Sequence, residues 1–442
     1  MAGAGRALLQ FVAETGFDDL PKPVVEVARL AALDWWGVTV AGAAEPVARR
    51  LGEVLNEPPG PASVLGTART ASPVTAALLN GIAAHALDYD DVHLDLPGHL
   101  TAPILPGLVA LAETRRLGGG PVLGAFALGA EVMCRVAQAL APGHYRAGWH
   151  ATATLGRLGG AVAAARLLGL DADGLDRAVG LAAAQLGGIH ESFGTMAKPF
   201  QVGRAAADAL LAALAAAGGV TAPTGLLDQR GWASRLGPDW RPAALTERLG
   251  ERWALAEIVF KRYPCCFATH ATIQALLALA PRTAPATIEA VELRVSPTTL
   301  RVANQLDPTT GLGGKFSVTY CAATALARGR VAEADFADDA VREPHVRALA
   351  ARVRVEPVAS LDEMRAQAVI RLTDGSTREA WADLRAGAEP ERLRIDLGQK
   401  FEVLVAPSLG RARTVALRGV LERLDDVDDL REPARLSAPA GG

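Results

Sequence analysis

The densest group of ionisable side chains runs from His85 to His99. It adds Asp88, Asp90, Asp91, His93 and Asp95 to the two end histidines, seven groups in fifteen residues after an apolar stretch. Histidines and carboxylates this close together suit three uses. They can cap and solvate a helix end. They can ligate Zn, Mn or Fe through His85, Asp88, Asp91 and His93, and Asp90-Asp91-x-x-x-Asp95 has the outline of a magnesium-binding aspartate run. Or they can carry metal-free acid–base chemistry on a carboxylate substrate. No second acidic motif of the kind that completes the magnesium pattern follows later, so the metal reading is the weaker one.

Four further segments carry chemistry-capable residues. Gly143 to Thr154 contains His144, Tyr145, Arg146 and His150. His150 precedes a helical pattern, where backbone N–H groups attract anions and a histidine can act as acid or base; a purely structural histidine is an equal reading. Gly187 to Phe200 is glycine-rich and ends on Lys198-Pro199-Phe200. It can cradle an anion with backbone amides, but it lacks the Gly-Lys-Ser/Thr of a phosphate loop, as does Gly313-Gly314-Lys315. Lys261-Arg262-Tyr263-Pro264-Cys265-Cys266 with His270 offers two adjacent cations for a carboxylate or phosphate. Its cysteines read as buried small hydrophobes rather than nucleophiles. Lys315 to Cys321, with Tyr320, opens a helix.

These clusters need a scaffold. Apolar residues recur at helical spacing from about residue 5 to 220, with helices expected over 24–41, 74–87, 105–114, 124–140, 155–168, 175–186 and 204–217. After about residue 260 the pattern changes. Residues 288–295 alternate apolar and charged side chains, 353–357 repeat the alternation briefly, and 366–380 form a hairpin around Asp374-Gly375. Helices return at 315–328, 345–351 and 395–424, and the tail from Glu432 looks frayed. The fold class is therefore mainly α. A large all-helical domain (1–264) receives a smaller α+β insert (265–392), followed by a helical return (393–442).

Composition excludes several classes. With 442 residues, half of them hydrophobic, and a net charge of -3, the chain is neither disordered nor built around nucleic acid. Four cysteines without a C-x-x-C pair fit a reducing cytoplasm. The first residues read as an amphipathic helix, and the uncharged run 209–227 is broken by Gly218-Gly219 and Pro223, so no membrane partner is expected. Only five of the 45 Lys and Arg residues are lysines: Lys22, Lys198, Lys261, Lys315 and Lys400. Three of them fall inside the segments above.

Taken together, these segments resemble the MmgE/PrpD family, which includes 2-methylcitrate dehydratase, cis-aconitate decarboxylase and iminodisuccinate epimerase. The resemblance rests on Leu33-Asp34-Trp-Trp-Gly37, Leu79-Asn-Gly81 with His85-Ala-Leu-Asp88-Tyr-Asp-Asp91, and Gly148-Trp-His150. It continues through Met196-Ala-Lys198-Pro-Phe200, Lys261 to Cys266 with His270, and Lys315-Phe-Ser-Val-Thr-Tyr320. It implies a helical domain with an inserted α+β lid domain, a homodimer, and an interdomain cleft that works with no metal and no cofactor. It implies that Asp88, His99, His150, Lys198, Lys261, His270 and Tyr320 line that cleft. Two departures stand out: Val92 where relatives have Thr, and Leu100-Thr101 after His99 where they have Pro-Ser/Gly.

The chemistry that follows is proton transfer at the carbon next to a carboxylate of a small polycarboxylate. Lys198, Lys261 and Arg262, with His270, are expected to bind the substrate. Asp88 or His150 is the expected base, and His99 or Tyr320 the expected acid. Dehydration is the leading reaction; epimerisation, decarboxylation or an unusual biosynthetic substrate are alternatives, as are a metal-dependent lyase and a non-catalytic carboxylate binder.

Overall fold

The computed structural model describes residues 3–385 and 390–439. The helical expectation holds, with five of the seven elements longer than expected: Lys22–Gly42, Pro73–Ala86, Thr101–Arg115, Gly119–Leu140, Ala151–Leu167, Ala172–Ala183 and Ala197–Ala217. Each begins earlier than its apolar periodicity, and proline or a capping residue marks the start of three of them. Ser72 accepts from the Thr75 N–H ahead of Pro73, and Asp171 accepts from the Gly174 N–H. A two-stranded ribbon, Ala62–Ser63 with Thr70–Ala71, is present in a stretch without a strand-like pattern. Two helices, Gly119–Leu140 and Ala197–Ala217, are long and apolar enough to cross a membrane, but both contribute buried residues to the first core.

Small residues set the spacing of the helices that matter for function. A Cβ on Gly203 would lie 2.4 Å from Leu78 O and from Ile82 Cγ1. Helices Pro73–Ala86 and Ala197–Ala217 therefore touch backbone to backbone, which carries Lys198 to the segment that follows His85.

The first hydrophobic core gathers the helices up to Phe260 together with Leu397, Phe401, Val405, Leu417 and Leu430 from the C-terminal helices. A second core runs from Cys265 to Leu384 and also takes in Val92. It is built on a four-stranded sheet in the order Val353–Pro357, Ile288–Val295, Arg365–Leu372, Thr377–Asp383. The first pair is parallel and the others antiparallel, and Gly375 (φ +83) makes the hairpin turn. Helices His270–Leu279 and Val318–Arg328 cover it. Residues 386–389, near the expected end of the insert, lie outside the described residues.

Two expectations are corrected. The C-terminal helical stretch is two helices, Pro390–Leu409 and Arg411–Leu421, separated at Gly410. The tail is not frayed as far as residue 439: Arg431–Leu436 is helical, and Ser437 Oγ, fully buried, accepts from Trp36 Nε1 at 2.8 Å. Leaving that buried indole N–H unpaired would cost about 1–3 kcal/mol, which fixes the tail against the first core. Residues 440–442 lie outside the description.

Candidate active site

Helix Pro73–Ala86 ends two residues before Asp88, so His85, Asp88 and Asp91 are not stacked on one helical face as their spacing implies. Asp88 instead takes φ +50, a left-handed conformation that costs a non-glycine residue free energy and persists only when its surroundings enforce it. The enforcing groups are lysines. Lys315 donates to Leu87 O at 2.6 Å, Lys198 to Asp88 Oδ1, Lys261 to Asp88 O at 2.7 Å and Oδ2 at 2.9 Å, and Lys400 to Tyr89 O at 2.7 Å. Four of the five lysines thus converge on one turn. Lys261 arrives by a local bridge that pairs Val92 with Val259 in antiparallel register. Lys198 arrives on the first turn of helix Ala197–Ala217.

Burial pushes the Asp88 carboxyl up, but the Lys198 and Lys261 ammoniums outweigh it and hold the group well below the usual carboxylate range. Asp90 follows the same logic: burial raises it, and His85 and His99 bring it well below. Its Oδ2 lies 2.8 Å from His85 Nδ1 and 3.2 Å from His99 Nδ1.

The histidines present a consistent face. His99 Nδ1 also meets the Asp91 carbonyl, which can only accept, so Nδ1 carries the proton. Gln201 donates its amide to Ser192 Oγ at 2.5 Å, which turns its Oε1 toward His150 Nδ1 at 2.9 Å. His150 Nδ1 therefore donates and Nε2 is the bare nitrogen. Among the described residues, the buried Nε2 atoms of His85 and His150 have no hydrogen-bond partner. The His85 ring lies 4.5 Å from that of His99 and 6.0 Å from that of His150, between centroids. Burial, reinforced by Lys198, keeps His150 well below its ordinary value, so it is a neutral base near pH 7; burial likewise brings His85 to about 4. The acid limb of any step that uses His150 as base should therefore fall well below pH 6.5, and a pH–rate profile of α-proton exchange checks this.

His150 stands at the position before helix Ala151–Leu167, as its sequence context implies, and the bridge Trp149–Ile189 brings the glycine-rich loop beside it. Phe193 from that loop and Phe316 from the second unit lie side by side against Lys198, with Nζ 5.2 and 4.9 Å from the ring centroids.

Not every expected site residue joins this cluster. Arg262 is exposed and donates to Gln274 Oε1 at 3.0 Å. His270 packs between Tyr263 and Phe267, with Nε2 3.3 Å from Cys265 O. The Tyr320 hydroxyl donates to Asp335 O and its ring packs on Phe336 inside the second core. Asp91 caps helix Thr101–Arg115 through the Leu100 and Thr101 N–H groups, and His93 Nε2 meets Ala254 O. Of the departures, Val92 lies in the second core, Leu100 is fully buried, and the Thr101 hydroxyl is spent on Asp91.

Ligand atoms of His85, Asp88, Asp90 and His99 lie within 4.8 Å of one another, the spacing a metal ion would need. The donor set does not favour one. Asp88 already balances two ammoniums and Asp90 Oδ2 already accepts from two imidazoles. A dication placed there would face the charge of Lys198 and Lys261.

One site residue escaped the sequence reading. Lys400 is buried, pairs with Asp34 at 2.7 Å, donates to Lys261 O at 3.3 Å and lies 3.8 Å from the Tyr89 ring centroid. Its only signal was being one of five lysines. Removing it by Lys400→Met should leave Asp34 buried without a counterion and cost about 3–5 kcal/mol in denaturant unfolding, with the Asp34→Asn/Lys400→Met pair recovering most of that loss.

Fold and site together describe a two-core helical protein with an ionic centre where its two units meet. The N-terminal domain model of MmgE/PrpD matches residues 6–243 and the C-terminal domain model of the same family matches residues 263–426. The chain belongs to the MmgE/PrpD family. It is 26% identical over 469 residues to a cis-aconitate decarboxylase of Aspergillus terreus (strain NIH 2624 / FGSC A1156), covering 98% of this chain and 96% of that protein. It is similar to a cis-aconitate decarboxylase-like protein, oryM, of Aspergillus oryzae (26%, 96% and 95% covered) and to the Mus musculus cis-aconitate decarboxylase (28%, 82% and 78% covered).

Proposed function

We propose that this chain is a lyase that forms and quenches a carbanion next to a carboxylate, and that its reaction is loss of CO2 from a small cis-aconitate-like polycarboxylate. The observation that carries the reading is the buried Asp88 carboxylate holding Lys198 and Lys261 beside His99, whose Nδ1 rests on the Asp90 carboxylate. The full-length similarity to cis-aconitate decarboxylases supports the choice of reaction. Residues 265–384 act as the lid.

A retained substrate carboxylate binds the ammonium of Lys198, which Asp88 and the two phenylalanines hold in place. The C–C bond to the departing carboxylate breaks and CO2 leaves. Its electron pair passes into the adjacent C=C–carboxylate system, where the fixed charges of Lys198 and Lys261 stabilise it. His99, as the imidazolium with its Nδ1–H on the ionised Asp90, gives its Nε2 proton to the carbanion and takes another there from solvent. Atoms balance: one C–C bond is exchanged for one C–H bond, with no redox change.

A second reading has an observation of its own. Decarboxylation needs a proton donor but no base, and His150 is built as a base. Its bare Nε2 fits a dehydration or epimerisation in which an α-proton is removed. Dehydration also needs an acid for the leaving hydroxyl; the Tyr320 hydroxyl is engaged on Asp335 O, which leaves His99 for that role. Incubating the protein with cis-aconitate, citrate, 2-methylcitrate and iminodisuccinate and following each by NMR separates the two. The expected result is consumption of cis-aconitate with CO2 release. Consumption of 2-methylcitrate alone would overturn decarboxylation in favour of the second reading.

A further inference from the structure

The ionic centre is sealed. Asp88, His150, Lys198 and Lys261 are each at most 5% exposed, so a substrate must reach them past a wall. Part of that wall is aromatic: the Phe193 and Phe316 rings lie 6.0 Å apart, one from each unit, with Lys198 against both. Both rings also line a pocket of about 340 Å³ that is open to solvent, together with Tyr145, Arg146, His190 and Arg301.

The charges in that pocket are unbalanced. Arg146 ends the short helix before His150 and is exposed; Arg301, also exposed, lies on helix Pro297–Val302 of the second unit. Among the described residues neither guanidinium has a carboxylate within 4.0 Å, and Arg301 reaches only Thr298 Oγ1, at 2.8 Å. Glu191 is the one acidic residue lining the pocket, and the buried His190 Nε2 has no hydrogen-bond partner. A planar guanidinium from each side of a cleft suits the fork geometry of a carboxylate.

We propose that this pocket is an outer capture site for small polycarboxylate anions. Arg146 and Arg301 hold the anion at the mouth of the cleft, and parting of Phe193 from Phe316 passes it inward to Lys198. The proposal rests on the proposed function for the identity of the anion, but its test does not need turnover. A cationic mouth also raises the encounter rate of anions in a salt-dependent way.

The test uses tricarballylate, a tricarboxylate with neither a double bond nor a leaving hydroxyl, in calorimetric titration and stopped-flow binding. The double variant Arg146→Gln/Arg301→Gln should bind it at least about tenfold more weakly than wild type, as expected for losing charge-assisted hydrogen bonds. Its association rate should lose most of its salt dependence, while Arg431→Gln, a surface arginine paired with Asp429 in the C-terminal helix, binds as wild type. Circular dichroism checks that the exposed substitutions leave the fold intact. Inorganic phosphate should compete only weakly; phosphate binding as tight as tricarballylate would overturn the carboxylate assignment. Equal affinity and association rate in wild type and the double variant, or no binding to wild type, would overturn the site itself. Arginine-dependent binding without turnover of any polycarboxylate would instead overturn the proposed function and leave the capture site standing.

Discussion

Asp88→Asn should abolish turnover and cost about 3–5 kcal/mol of stability, the loss expected when a buried ion pair is broken from one side. The reason is local. Asp88 is the only carboxylate within 4.0 Å of both Lys198 and Lys261 among the described residues, and both ammoniums are buried. An amide keeps the shape but leaves two cations uncompensated. It also removes the force that holds residue 88 at φ +50, so the turn that accepts from Lys315 and Lys400 should loosen. Denaturant unfolding reads the loss of stability and a turnover assay the loss of activity. A variant as stable as wild type would show that the lysines do not depend on Asp88.

His99→Gln should lower kcat by about 10²–10⁴ with little change in stability, as is typical when a positioned acid is removed. The same substitution at His150 discriminates the two readings. If decarboxylation is the reaction, His150→Gln should reduce kcat less than His99→Gln, because no α-proton is removed. If a proton is removed, the order reverses. Measuring kcat for both variants on one substrate decides it.

Much of this was legible in the sequence, for identifiable reasons. The helices were readable because apolar residues repeat with a helical period, and the sheet because 288–295 alternate. His150 was readable because it stands directly before a helical run. Lys198 and Lys261 were readable because lysine is scarce in an arginine-rich chain. Lys400 shares that scarcity but sits in an ordinary helix outside the segments dense in histidines, glycines or paired cations; only the packing of that helix against Asp34 and Tyr89 gives it a place. Spacing misled at Asp88, where helical periodicity was carried two residues too far and hid a left-handed turn. It misled again at the tail, whose polar composition conceals the Trp36–Ser437 hydrogen bond. Residue type also says nothing about which atoms are already engaged. Tyr320, Arg262 and His270 have the right chemistry, but each makes its polar contact with residues of the second unit. The same blindness applies to Asp91 and His93, which a composition-based reading counts as ligands and the structure spends on a helix cap and a carbonyl.

Proton transfer from His99 to a carbanion left by CO2 is tested by running cis-aconitate with the wild-type protein in D2O and following it by proton and carbon NMR. The expected result is one CO2 released and one deuterium placed on product carbon per turnover, with both lost together in His99→Gln. Unchanged cis-aconitate, with no CO2 and no deuterium incorporated, would contradict it.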